Sequence, residues 1–416
     1  MFSIKNKINK IIDLSTIYLK TDVKHLLKGG FWLTIAKIVS AISSFLSSIV
    51  FANFVPKEIY GLYRLVLSYT NILSIPTLNG IDTSLTKAIG KGYNGSIFPA
   101  FYTKIKWGLL SSVASLFFAV YYYIWRNDIS LSICFAIAAV FLPIMDPLQI
   151  FLAYLNGKQN YVTYTKYHTY IKVTVTSLLI VMILITQNLV LIILSYFLFY
   201  TLTRLLFFLI TIKKIKNDNT VDHSIIPYGK HLSLMNILST ISIALDKILV
   251  FHYVGAIQLA SYYLAMVPYK QVQNFVNSLN TLALPKFADN TIGNIKDTLP
   301  KKILKSYLII IPIVIIYALT APYLFNVFYP KYIDIVGISS IFMCQLIFTP
   351  IYLFNTALTA QGKKKELYII SISYAVVKIV LLIILVPMFG LYGAVASLII
   401  TSLFGAINNI VIFYKN

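Results

Sequence analysis

Apolar runs of about 20 residues recur along the whole chain, and each is long enough to cross a bilayer as a helix. Short polar stretches separate them. The pattern predicts twelve spans, at about 31–54, 60–85, 107–126, 130–154, 167–186, 189–212, 231–254, 258–284, 304–325, 334–360, 367–387 and 390–413. The connections alternate in character. One set is basic: the N-terminus, TKAIGKGYNG to TKIK, NGKQNYVTYTK, KKIKNDN, PKFADN to PKKILK, and QGKKKE. The other is short and poor in cations: VPKE, RND, TQN, VGAI, NVFYPKY and VPMFG.

Shifting the sequence by 200 positions lays span 1 on span 7 and span 2 on span 8 without gaps. Val50-Phe51 falls on Val250-Phe251, Tyr63 on Tyr263 and Tyr69 on Tyr269. Six spans per half is an even number, so both halves enter the membrane in the same sense. That is a parallel repeat about the membrane normal, a pattern of alternating-access transporters. The expected organisation is a basic N-terminal segment (1–30), a first six-helix lobe (31–212), a linker (213–230) and a second six-helix lobe (231–416).

Composition sharpens this picture. The chain has 416 residues, 58% hydrophobic and 12% charged, with mean hydropathy +0.80. A soluble domain is nearer half apolar and a quarter charged. The 35 Lys and Arg against 13 Asp and Glu give +22. Most of the cations fall in the basic connections, so the positive-inside rule places both termini in the cytoplasm. The charge reflects membrane anchoring, and no nucleic-acid partner is implied. Residues 1–30 lack the small-residue cleavage site of a secretion signal. Ile4, Ile8, Ile11, Ile12, Leu26 and Leu27 are spaced for an interfacial helix there. Cys134 and Cys344 lie in spans and read as packing residues. No histidine sits in a metal-ligand pattern and no phosphate-binding GxxxxGK loop occurs, so neither a catalytic set nor a cofactor is expected.

Charged and amide residues inside spans are costly, about 2.5–3.5 kcal/mol per charge, and usually face a cavity or a partner. Four helices carry them in stripes. Span 1 has Lys37, Ser40, Ser44 and Ser47; span 2 has Arg64, Ser68, Asn71, Asn79 and Asp82. Span 7 has Asn236, Ser239, Thr240, Asp246 and Lys247; span 8 has Lys270, Gln273, Asn274, Asn277 and Thr281. The serines of span 1, taken alone, read as glue between helices. For span 8, a lysine with several amides favours a water-filled cavity. Lys37, Arg64, Lys247 and Lys270 outweigh Asp82 and Asp246, so the expected cargo is anionic, with phosphate the natural group. The two acids are the candidates for proton or sodium coupling, with Asp246 expected to pair with Lys37 or Lys270. Arg204 and Lys378 read as anchors of their spans. Asp146, between Pro143 and Pro147, reads as part of a kink, and Pro76, Gly80 and Pro268 as hinges.

The block from Leu26 to Gly92, with its F-V-x-x-x-x-Y-G-L-Y turn at 54–63, and the MFGLYGAVAS segment opening span 12 resemble bacterial polysaccharide transporters. These are O-antigen and capsule-repeat flippases of the multidrug/oligosaccharidyl-lipid/polysaccharide exporter superfamily. The resemblance implies an all-α polytopic membrane protein with twelve transmembrane helices in two six-helix lobes around a central cavity. It implies movement of undecaprenyl-pyrophosphate-linked oligosaccharide from the cytoplasmic to the outer leaflet of the bacterial inner membrane. Membrane lipids, and a polysaccharide polymerase with its chain-length regulator, are the partners it suggests. The alternatives are a cation-coupled drug exporter of the same superfamily and a membrane-embedded polymerase. Net basic stripes oppose the first, and short outside loops oppose the second.

Overall fold

A computed structural model describes residues 23–215, 220–288 and 292–415, with side chains from residue 31 onward except 278–286, 288 and 292. Of the interfacial helix expected within residues 1–30, residues 1–22 lie outside the described residues, and Leu26 and Leu27 belong to the span 1 helix, Val23–Phe54. Among the described residues nine helices are long and apolar enough to cross a membrane. The last of them, Lys364–Lys415, bends at Gly390 (φ 55°, ψ −128°) and supplies spans 11 and 12. Span 2 (Lys57–Leu73 and Gly80–Gly90) and span 8 (Ala256–Ala288) complete the predicted twelve. Span 2 is split into pieces of 17 and 11 residues, each too short to cross alone, and span 8 is made less apolar by its polar stripe.

Local sequence sets the boundaries. Asp128 caps span 4 by accepting from the Leu131 amide at 2.9 Å, and Asn188 caps span 6 by accepting from Val190 and Leu191. Spans 7 (Ile225–Val254) and 8 are joined by Gly255 alone, at φ 102°, a left-handed conformation that glycine adopts without strain. Span 2 breaks where Pro76 removes a backbone donor. A short 3₁₀ turn, Ile75–Thr77, and Leu78 at φ 57° separate its two halves. Pro268, by contrast, is accommodated within one continuous helix.

Several helices begin well before the predicted apolar runs: span 3 at Ile97, span 5 at Tyr161, span 9 at Ile292. Lysines in the first turns kept hydropathy low without stopping the helix, since their aliphatic stems run along it. Lys104 is the clearest correction. It reads in the sequence as a loop cation, yet it is a span 3 residue only 1% exposed.

Packing follows the repeat. Span 1 packs on span 5 as span 7 packs on the 11–12 helix, and span 3 packs on span 4 as span 9 packs on span 10. The two lobes meet along a seam where span 2 contacts spans 7 and 8 and span 1 contacts span 8. The sidedness expected from the cations is testable. A reporter fused after Lys364 should be cytoplasmic and one fused beside Lys331 external; a cytoplasmic reporter at Lys331 would refute the twelve-span topology.

Candidate functional site

Direct bonds cross the seam at both ends. Near the Val55–Lys57 turn, the Asn53 amide donates to the Phe328 carbonyl at 2.9 Å, and Lys331 Nζ donates to the Asn53 carbonyl at 2.6 Å. The Ser48 and Tyr329 hydroxyls lie 2.8 Å apart, and Lys57 is 3.9 Å from Asp334. At the other end the Gly80 amide donates to Ser233 Oγ, and Ser84 Oγ donates to the Ile225 carbonyl, both at 2.9 Å.

Arg64 sits on this seam. Its guanidinium donates to Tyr60 Oη at 3.0 Å and lies 3.5 Å from the ring centre of Tyr263 in the opposite lobe. Tyr60 and Tyr63 flank it at 5.0 and 5.4 Å. Tyr63 and Tyr263, the pair that the 200-residue shift superposes, thus both press on one arginine. Arg64 Nε is buried without a hydrogen-bond partner. Cation–π contact of this kind stabilises a desolvated guanidinium by about 2 kcal/mol.

Asp246 departs from its expected pairing. Its carboxylate accepts from Lys247 Nζ and the Lys247 amide, both at 2.9 Å, and from Tyr262 Oη at 3.0 Å. Lys247 Nζ also donates to the Ile243 carbonyl at 3.0 Å. The residue is 2% exposed. Adjacent helix positions diverge by about 100°, but a lysine stem is long enough to curl back to the preceding carboxylate. Lys270 and Lys378 lie within electrostatic reach of the same carboxylate, and Arg64 lies within reach of Lys270. Lys247, Lys270 and Lys378 therefore gather near one acid, and Arg64 adds to the positive field at Lys270. Lys378, read as an anchor from sequence, is buried beside it.

The remaining expected residues divide. Gln273 donates to Tyr269 Oη at 2.6 Å beside Lys270, and Asn274 and Asn277 continue the same face into exposed positions. Asn236 and Asn71 are exposed, while Thr240 and Ser40 turn their hydroxyls to their own helix carbonyls, Asn236 and Ala36. Ser44 is half-buried. Lys37 is exposed and has no hydrogen bond or ion pair among the described residues, so it does not join Asp246. The side chain of Thr281 lies outside the described residues. Asp82 is not in the cluster: it accepts from Lys104 Nζ at 2.7 Å, a partner hidden from a reading that left Lys104 in a loop. Arg204 and Asp146 pair at 3.4 Å, and Arg204 also donates to the Met145 carbonyl at 2.9 Å, joining spans 4 and 6.

One polar stripe was missed altogether. Thr165, His168, Thr169, Lys172 and Thr176 follow i, i+3, i+4, i+7, i+11 along span 5. The signal is as regular as that of span 8. The internal repeat directs the search for stripes to spans 1, 2, 7 and 8, and span 5 is not among them.

The sequence profile described as "Polysaccharide biosynthesis protein" matches residues 26–291, more than half of the chain. The chain belongs to this family. No curated protein matches it. Among solved structures, the lipid II flippase MurJ in an inward closed conformation superposes with TM-score 0.70 at 15% identity, covering 92% of this chain and 89% of MurJ. An outward-facing multidrug resistance MATE family transporter of the MOP superfamily gives TM-score 0.61 at 15% identity, covering 93% and 95%. A MOP superfamily transporter from Pyrococcus furiosus, whose title describes a binding pocket of reverse polarity, gives 0.60 at 15%, covering 94% and 95%. This member of the polysaccharide biosynthesis family is thus a multi-pass helical membrane protein with the fold of those transporters, two six-helix lobes facing each other. Its seam carries the cations just described.

Proposed function

We propose that the protein is a flippase moving undecaprenyl-pyrophosphate-linked oligosaccharide, an O-antigen or capsule repeat unit, from the cytoplasmic to the outer leaflet of the inner membrane. The observation that carries this reading is the gathering of Lys247, Lys270 and Lys378 near the single carboxylate of Asp246, with Arg64 within electrostatic reach of Lys270. Such a surplus is costly in a membrane unless an anion offsets it. A diphosphate matches it in charge and accepts several charge-assisted hydrogen bonds. The amides of Gln273, Asn274 and Asn277 lie on the same helix face, suited to sugar hydroxyls, while the polyprenyl tail stays in lipid. Rocking of the lobes about the seam exposes the site to each side in turn. A proton reaching Asp246 would release Lys247 for the cargo, which is one way a gradient could drive the cycle. Both termini are then cytoplasmic, and a polymerase with its chain-length regulator would take the delivered unit.

Multidrug transporters share the fold, so a drug exporter is the second reading. A cationic drug would meet a net positive cluster, and that disfavours it. Lys270→Glu should abolish surface polysaccharide at unchanged protein level, and Lys378→Met should impair it strongly. Lys415→Ala, at the exposed C-terminal end, should leave it intact. Normal export by both cluster variants would refute the reading.

A further inference from the structure

The polar groups of this bundle lie at two levels. At 1.5 Å of rise per residue, Arg64 is about 10 Å from the start of its helix at Lys57, and Asp246 about 12 Å from the end of span 7 at Val254. Both are measured from the same, externally expected end. Lys172 is about 16 Å from the start of span 5 at Tyr161, and Arg204 about 14 Å from the end of span 6 at Lys213. These are measured from the opposite end. The second level belongs wholly to the first lobe, and the cluster around Asp246 does not include it.

Its chemistry is that of an unfilled donor set. Arg204 is paired with Asp146, but Lys172 Nζ has only the Tyr200 hydroxyl at 3.4 Å. Lys172 and Arg204 both lie within electrostatic reach of His168. Around them, Thr165 Oγ, Thr169 Oγ, Thr201 Oγ and His168 Nδ1 are buried without a hydrogen-bond partner. Thr165 and Thr201 are 2% and 9% exposed. Thr165, His168, Thr169 and Lys172 share one face of span 5, and Thr201 and Arg204 are one turn apart on span 6. A buried hydroxyl left unpaired costs about 1–3 kcal/mol, so several in one place next to a spare ammonium point to an acceptor-rich anion.

We propose that the span 5–span 6 cluster is a second diphosphate station, nearer the cytoplasmic side, which receives the cargo's head group before it passes to the Lys270 level. The proposal rests on the flippase reading and deepens it: the first lobe loads and the second lobe carries. Lys172 supplies the charge, and the threonine hydroxyls supply neutral donors that release the ligand readily. Asp146 keeps Arg204 oriented and limits the net charge, so the station binds more weakly than the lysine cluster around Asp246.

The test is calorimetric titration of the purified protein, in phosphatidylcholine nanodiscs, with geranyl diphosphate. Wild type should show two sites. Lys172→Gln should weaken one of them about tenfold or more, a change worth about 1.4 kcal/mol, and leave the other. Thr201→Val should weaken the same site less. Lys270→Gln should remove the other site. Lys172→Arg, which keeps the charge, should retain both and so shows that the fold tolerates change at this position. Two unaltered sites in Lys172→Gln overturn the second station while leaving the flippase reading standing. One wild-type site, lost in Lys270→Gln, does the same. No saturable binding in wild type overturns both. Loss of the Lys172 site when phosphatidylglycerol replaces phosphatidylcholine assigns it to lipid phosphates and overturns its role as a cargo station.

Discussion

Asp246→Ala should lower the stability of the protein by about 3–5 kcal/mol, the usual cost of stranding a buried charge by removing its partner. The substitution leaves Lys247 Nζ with the Ile243 carbonyl alone, and it leaves the Tyr262 hydroxyl without its acceptor. Lys270 and Lys378 then stand near Lys247 with no counter-charge between them. The loss should appear as a much lower melting temperature in detergent and as reduced membrane abundance. The double change Asp246→Leu with Lys247→Met should recover most of it, because an apolar pair of similar volume replaces a buried ion pair at little net cost. The comparison separates a brace from a cargo ligand. A brace predicts that the double variant is abundant, whereas a cargo role for Lys247 predicts that it is abundant and inactive. If Asp246→Ala melts together with wild type, the carboxylate holds nothing in place.

Gly61→Ala should open the seam at the externally expected end. A Cβ at position 61 would overlap the Ala256 carbonyl oxygen, far inside the 3.0 Å below which real Cβ contacts do not fall. Span 2 and the start of span 8 must therefore separate by more than 1 Å. The obstacle is backbone and cannot rotate away. The same separation pulls Tyr263 from Arg64 and strains the Asn53, Lys57 and Lys331 contacts. Cysteines introduced at Lys57 and Asp334, with the exposed Cys344 replaced by serine, report the seam. A short bifunctional thiol reagent should join them efficiently in the parent and several-fold less in Gly61→Ala. Equal cross-linking would mean that this contact does not set the state of the seam. A protein locked open at one end should also fail to transport at normal abundance, since alternating access needs both states.

The arginine cage gives the seam a chemical meaning beyond packing. Arg64 is held by Tyr60 of its own helix and Tyr263 of the opposite lobe. Parting the lobes would take Tyr263 away and present the guanidinium to the space between them. Tyr63 and Tyr263, which the 200-residue shift superposes, converge on one guanidinium, and only one copy carries the arginine, since position 264 is leucine.

What the sequence determined by itself is what depends on solvent transfer and on helical period. Long apolar runs must be membrane helices because backbone groups find no partner in hydrocarbon, so the twelve spans and the fold class were legible. The period of 3.6 residues placed Gln273, Asn274 and Asn277 with Lys270 on one face of span 8. The same period also lines up His168, Thr169, Lys172 and Thr176 on span 5, a helix that the internal repeat does not single out. Tertiary structure alone decided which charges meet. Asp82 joins Lys104 across two spans, Asp146 joins Arg204, and Asp246 joins its own neighbour and Tyr262. Lys378 moved from anchor to cluster because span 11 turns it inward beside span 7. Hydropathy counts a lysine as a cost wherever it falls. Whether that cost is met by water, by a lysine's own stem or by a carboxylate depends on contacts between helices, and a one-dimensional pattern does not contain those contacts.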